Sequence, residues 1–334
     1  MSVRVLAHDD VRRALPADEC ERAMATVLAA LAHGRAHMPL RSVWTAPGAP
    51  GLMGLMPAYR DGDGDGDGAA GFALKAICVI PSNPARGLDA HQGTVTLFDG
   101  ETGVPTAILD ASAVTEIRTA AVTAAATRTL ARSGARVLAI LGAGVQGRSH
   151  LRALAPVRAW EQVRVFAPTA EHARAVAAAV SEPGAVAVSA VASAREAIEG
   201  ADVVVTVTSS RRPVLERGWL SPGAHVNAVG ASTPSASELD VETVRAAALF
   251  CDSRESLSNE AGEFRLALEQ GAIGGIDHVR AELGEVLAGL APGRADDGEL
   301  TVFRSLGLGV EDLAAAQLAV ANARELGLGT EVEL

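Results

Sequence analysis

The stretch Arg136-Val-Leu-Ala-Ile-Leu-Gly-Ala-Gly-Val-Gln-Gly147 constrains the fold more than any other part of the chain. Its first six residues are a short, nearly continuous apolar run, the pattern of a strand buried on both faces of a sheet. The run ends on Gly142-Ala143-Gly144-Val145-Gln146-Gly147, and a helix is predicted over about Val145 to Leu154. Alone, GxGxxG is weak; between a strand and a helix it is the phosphate turn of a dinucleotide site. Gly142 permits the tight turn, Gly144 lets backbone approach a pyrophosphate, and Gly147 lets helix and strand pack closely. The helix N-terminus adds N–H groups and partial positive charge.

Downstream, strands are predicted at Val163–Ala167, Ala185–Val191, Asp202–Thr208, His225–Val229 and Ala248–Asp252, with helices such as Ala170–Val180 and Ser193–Glu199 between them. Such alternation means a parallel sheet with right-handed crossovers. Upstream, helices at Asp9–Ala14 and Asp18–Gly34 precede strands near Arg41–Thr45, Gly51–Pro57, Gly71–Ile80, Gly93–Phe98 and Ala107–Leu109. This meander reads as an α+β domain with hairpin connections. A long alanine-rich helix, about Ala113 to Ala131 with Ser112 as N-cap, leads into the nucleotide region. The last helix, Val310–Leu326, is expected to return to the first domain. The fold class is therefore α/β: a doubly wound Rossmann sheet (121–304) inserted in an α+β domain (1–120 plus 305–334).

With 334 residues, 49% of them hydrophobic, the chain has ample material for two cores. The net charge of −11 argues against nucleic acid or an anionic membrane as partner. No apolar run reaches the roughly 20 residues that span a bilayer, and the start does not read as a signal peptide. Cys20, Cys78 and Cys251 are too few and scattered for a disulfide framework or a zinc site, so a reducing, cytoplasmic setting is expected. Asp61-Gly-Asp-Gly-Asp-Gly-Asp-Gly68 begins like a calcium loop, but the position of its bidentate glutamate falls on Phe72 or Leu74. It reads as a hairpin tip, and no metal site is expected.

An NAD site normally ends its second strand with an acid on the ribose 2′-OH. Here that strand runs Val163-Arg-Val-Phe-Ala167-Pro168-Thr169, with no acid at its tip. Nothing there repels a 2′-phosphate, which Thr169, His172 or Arg174 can meet, so NADP is favoured over NAD despite Glu171 nearby.

Lys75 is the only lysine among 29 basic residues. It lies in Phe72-Ala-Leu-Lys-Ala-Ile-Cys-Val-Ile80, sharing a strand face with Ile77 and Val79. A lysine on a strand apolar on both faces is shielded from water, which requires a partner or lowers its pKa. A snorkelling edge-strand lysine is the bland alternative.

The segments Met56-Pro-Ala-Tyr59, Leu74-Lys-Ala, Arg118-Thr-Ala-Ala-Val, Leu141-Gly-Ala-Gly-Val-Gln146, Asn227-Ala-Val-Gly-Ala231, Leu283-Gly-Glu-Val-Leu and Thr301-Val-Phe-Arg-Ser-Leu-Gly307 together resemble the ornithine cyclodeaminase/μ-crystallin family, in order over nearly the whole chain. The resemblance implies a homodimer whose first domain carries substrate and dimer contacts, with Arg41, Lys75 and Arg118 facing a substrate carboxylate. Two guanidinium forks and an ammonium suit that task. Thr119, Val229 and Gly230 complete the expected cofactor set. His91 lies near enough in the pattern to touch cofactor or substrate, though a structural role fits it equally.

Cyclodeaminases of this family place an aspartate where this chain has Ser232 and a glutamate where it has Gly54. Without those carboxylates a deaminating proton shuttle is missing. The expectation is an NAD(P)H-dependent reductase of a cyclic imino acid, with Lys75 polarising the imine and Ser232 placing a water. Ornithine cyclodeaminase, an open-chain amino-acid dehydrogenase and a non-catalytic dinucleotide-dependent binder are the alternatives.

Overall fold

The computed structural model describes residues 2–62, 69–179 and 187–333. In chain order its elements begin with β1 (Ser2–Leu6), α1 (His8–Ala14), α2 (Ala17–Ala32), β2 (Ala36–His37), β3 (Ser42–Trp44), β4 (Leu52–Arg60), β5 (Gly71–Val79), β6 (His91–Asp99), β7 (Pro105–Asp110) and α3 (Ala111–Leu130). There follow β8 (Val137–Leu141), α4 (Val145–Leu154), β9 (Gln162–Phe166), α5 (Ala170–Ala179), β10 (Val188–Ala190), α6 (Ala194–Ile198), β11 (Val203–Thr206), β12 (His225–Ala228), α7 (Val241–Ala246) and β13 (Ala248–Cys251). The chain closes with α8 (Arg254–Glu260), α9 (Gly262–Glu269), β14 (Val279–Glu282), α10 (Leu283–Leu287), β15 (Thr301–Arg304), α11 (Gly309–Leu326) and β16 (Thr330–Glu333). Two compact units result, Met1–Ala121 with Gly307–Leu334, and Val122–Leu306.

In the first unit the sheet order is β16-β1-β7-β6-β5-β4-β2, with β3 also on β4; β1 and β7 are parallel and the other pairs antiparallel. Strand β4 alternates cleanly, burying Gly54, Met56, Ala58 and Arg60 while Met53, Leu55 and Pro57 are exposed. Helix α11 packs on β4, β5 and β6 and against α2. Gly309 allows this approach, since a Cβ there would stand 3.0 Å from the Pro57 carbonyl oxygen. The sequence pattern ends β4 at Pro57, yet the strand continues to Arg60. Pro57 falls between the stretch paired with β3 and the stretch paired with β2, so its missing N–H interrupts no ladder on that edge.

The expected N-cap of α3, Ser112, lies inside the helix instead. Asp110 caps it, accepting from Ala113 N–H at 2.7 Å, while Ser112 donates to Asp89. Helix α3 buries Val114, Ala120, Val122, Ala124 and Leu130 on all sides. Small side chains make such close packing possible.

In the second unit the described strands form an all-parallel sheet of order β10-β9-β8-β11-β12-β15-β13-β14. The order reverses direction between β8 and β11, the switch point at which such sheets bind ligands. Strands β11, β12 and β15 are buried throughout, as helices on a parallel sheet require. Strands β1, β2, β14, β15 and β16 were not expected from the sequence. Residues 63–68 of the Asp-Gly repeat, Val180 of the expected helix, and Ala185 and Val186 of the expected strand lie outside the described residues. Among described residues, no helix is long and apolar enough to cross a membrane.

Two fully buried histidines stitch this unit. His150 bonds Thr123 and the Gln146 carbonyl, and His225 bonds Thr301 and Asn227. Burial pulls the first down to about 4 and the second to about 3, from 6.5. Both are depressed, so the unfolded chain binds the extra protons as pH falls below 6.5. Stability present above that value is then lost progressively towards pH 4, by on the order of a few kcal/mol. Urea midpoints are expected to drop steadily across that window; a flat profile would show the two rings to be protonated in the fold.

Candidate active site

The turn after β8 holds the first group of predicted residues. Gly142 has φ +124°, and a Cβ there would lie 2.5 Å from the Val207 carbonyl oxygen. At Gly147 a Cβ would meet the Gly142 carbonyl oxygen at 2.1 Å. These two glycines are thus required by the protein's own backbone. Gly144 differs: its backbone is ordinary (φ −80°), and among the described residues nothing beyond its own stretch of chain lies within 4 Å of where its Cβ would be. The N–H of Arg148 is the first to close a helical ring, onto Gly144 O, so the amides of Ala143, Gly144 and Val145 precede the α4 ladder. An amide-lined turn with open space over its central glycine fits a pyrophosphate.

At the neighbouring strand ends, Gly230 follows β12 and the buried Val229. A Cβ on Gly230 would stand 2.2 Å from Thr208 O and 2.7 Å from Glu238 Oε1. Glu238, fully buried, accepts from Thr206 Oγ1 (2.9 Å), Thr208 N (2.7 Å), Thr208 Oγ1 (2.7 Å) and Gly230 N (2.6 Å). It ties the ends of β11 and β12 together, and sequence reasoning missed it. Thr169 is exposed beyond β9, whose tip carries Ala167 and no carboxylate; Ser232 is exposed in the loop after β12.

The first unit gathers Arg41, Lys75 and Arg118. Lys75 lies on β5, between β4 and β6 and opposite Met56 and Val95, on the face that α11 covers. Only 2% of it is exposed, which excludes the snorkelling alternative. Its Nζ donates to Asp312 Oδ1 at 3.2 Å. Arg118, on α3, donates through Nε to the same oxygen at 3.0 Å and through Nη1 to Glu311 Oε2 at 2.6 Å. Thr119, the next residue, is also buried. Arg41, just ahead of β3, donates to the Gly307 carbonyl at 2.7 Å. Gly307 itself has φ +82°, and its missing side chain makes room for the Arg118 guanidinium, 2.6 Å from a would-be Cβ. One glycine therefore seats both arginines.

Glu311 and Asp312 are wholly buried in the first turn of α11, where a helix favours acids. They too were missed, because acids at a helix start ordinarily face water. Burial pulls Lys75 down to about 8, opposed by Asp312 and assisted by Arg118 and Arg41. His91 opens β6; desolvation, then the Lys75 and Arg118 charges, lower its pKa. At Gly54 a Cβ would meet only Ile77, at 3.4 Å, so no backbone obstacle accounts for the missing carboxylate.

Among known proteins, the ornithine cyclodeaminase/mu-crystallin family model matches residues 1–326. The ketimine reductase mu-crystallin of Mus musculus is 40% identical over 285 residues, 85% of each chain. The structure of Thermococcus litoralis Δ1-pyrroline-2-carboxylate reductase with NADH and L-proline superposes with a TM-score of 0.93 at 34% identity, covering 99% of this chain and 100% of that one. An archaeal alanine dehydrogenase dimer with bound NAD gives 0.92 at 32%, with both chains fully covered. Fold, glycine turn and whole-length similarity converge: the chain belongs to the ornithine cyclodeaminase/μ-crystallin family.

Proposed function

We propose that the protein is an NAD(P)H-dependent reductase of a cyclic imino acid, turning Δ1-pyrroline-2-carboxylate or Δ1-piperideine-2-carboxylate into L-proline or L-pipecolate. The observation that carries this reading is the buried charge cluster. Two buried cations (Lys75, Arg118) meet two buried carboxylates (Glu311, Asp312), and the half-buried Arg41, held by the Gly307 carbonyl, leaves one net positive charge for one substrate carboxylate. Relatives named for ketimine and pyrroline-2-carboxylate reduction support it.

Gly142–Gly147, Thr169, Val229 and Gly230, with Thr119, are the residues that would hold a dinucleotide, whose chemistry when bound would be hydride donation to the imine carbon. Arg41 and Arg118 hold the substrate carboxylate and so fix the ring. Lys75 donates one hydrogen bond to Asp312 and has two further N–H donors for the substrate. As an ammonium it keeps the imine nitrogen protonated, and each turnover consumes one hydride and one proton. Ser232 positions water for that proton's return. The bare tip of β9 favours NADPH over NADH. A homodimer forms through the uncovered sheet face, where Met53, Leu55 and Phe72 are exposed beside Val43 and Trp44. A cytoplasmic location goes with the reading.

The test is a substrate panel run with both cofactors. Pyrroline-2-carboxylate should oxidise NADPH stoichiometrically, with higher kcat/KM than NADH, and yield L-proline. Ammonia released from ornithine with catalytic NAD and no net cofactor consumption would instead mark a cyclodeaminase. Turnover confined to pyruvate with ammonia would mark an open-chain dehydrogenase, and binding without turnover a carrier.

A further inference from the structure

We propose that Asp312 is a positioning residue for Lys75: its Oδ1, shared between the lysine ammonium and the Arg118 guanidinium, keeps that ammonium charged and aimed. The consequence for turnover rests on the reductase reading; the ion-pair geometry does not.

Lys75 and Asp312 are 2% and 0% exposed, so neither charge has water to support it. Among the described residues, Asp312 is the carboxylate within ion-pair reach of Nζ; Glu311, one residue earlier on α11, is engaged by Arg118. The other groups facing this cluster do not help. Arg118 on α3 and Arg41 ahead of β3 oppose a positive charge on Lys75. His91 on β6 is itself biased towards neutrality by Lys75 and Arg118. Cys20 on α2, near Arg118 and Glu311, has its thiol pushed up to about 12 by burial and stays neutral. Remove the Asp312 charge, and burial and two guanidinium groups all favour a neutral amine.

The aspartate's other oxygen, Oδ2, is buried with no hydrogen-bond partner. A buried acceptor without a donor costs stability, and an apolar side chain would serve packing better. That cost makes sense if the charge is retained for what it does to Lys75. Its placement is also fixed, because Gly309 seats the start of α11 against the β4 backbone.

Because Lys75 is the only lysine in the chain, protein grown on 13Cε-labelled lysine gives one side-chain signal, and its NMR titration reports this group alone. The wild type should titrate at about 8. Asp312→Asn should titrate lower by about one unit or more, Glu311→Gln by less than half as much, and Asp312→Glu in between. An Asp312→Asn titration coincident with wild type, or a Glu311→Gln shift as large, overturns the proposal. Should the asparagine variant not fold by circular dichroism, Asp312→Glu decides: an intermediate shift supports the role, and an unmoved titration overturns it. With pyrroline-2-carboxylate, the alkaline limb of kcat/KM should follow the NMR titration from variant to variant. A moving titration without wild-type turnover sinks the reductase reading alone; turnover with an unresponsive Lys75 sinks the positioning role alone.

Discussion

Lys75→Met is expected to abolish reduction while leaving cofactor affinity within about threefold of wild type. Methionine matches the lysine stem in length and suits a site that is 2% exposed. What disappears is an ammonium and its three donors, and general-acid assistance alone is worth about 10²–10⁴-fold. Loss of two substrate-facing donors should raise KM in addition, so kcat/KM is expected to fall by at least about 10³. The fold should survive, because Asp312 keeps its bond from Arg118 Nε and is not left without a cation. The proposed dinucleotide site is the glycine turn, in the other unit, so fluorescence titrations of the variant with NADPH and NADH should overlay the wild type. Activity within tenfold of wild type would make the lysine a bystander and remove the observation on which the proposed chemistry stands.

Lysine 75 could be singled out from sequence because the signal is local: one charge in a nine-residue apolar alternation. The glycine turn was legible for the same reason, since strand, turn and helix are contiguous from Val137 to Leu154. What escaped was non-local. Asp312 lies 237 residues from Lys75 in the chain, and nothing in Gly-Val-Glu-Asp-Leu distinguishes a buried acid from a solvated one at a helix start. Gly307 drew no structural reading from its sequence, yet its role is to admit the Arg118 guanidinium while its carbonyl holds Arg41. Glu238 likewise sits in an unremarkable Ser-Glu-Leu-Asp run, and only the adjacency of β11 and β12 makes it a hub. Strand β15 was missed because four residues carry too little periodicity. Its place between β12 and β13, out of chain order, is set by sheet topology and not by local preference. Asp110, two positions before the expected cap Ser112, is as good a cap residue, and only where the helix starts decides between them.

The three glycines of the turn look equivalent in sequence but should fail differently. Gly147→Ala places a methyl 2.1 Å from the Gly142 carbonyl oxygen, a backbone-on-backbone clash that no rotamer change relieves. Gly142→Ala combines φ +124° with a Cβ 2.5 Å from Val207 O. Both should lower the melting temperature of the cofactor-free protein, by on the order of 2–3 kcal/mol or more in stability. Gly144→Ala should not: φ −80° suits alanine, and nothing stands within 4 Å. Its melting temperature without cofactor should match wild type within error, whereas NADPH and NADH affinity should fall by at least about tenfold, 1.4 kcal/mol. The reason is that the open space over Gly144 is where a pyrophosphate would approach the backbone. Comparing melting curves with cofactor titrations for the three variants therefore separates what the glycines do for the fold from what they do for the ligand. Wild-type affinity in Gly144→Ala would place the phosphates elsewhere, and the cofactor assignment would then have to rest on some other part of the sheet's carboxyl edge.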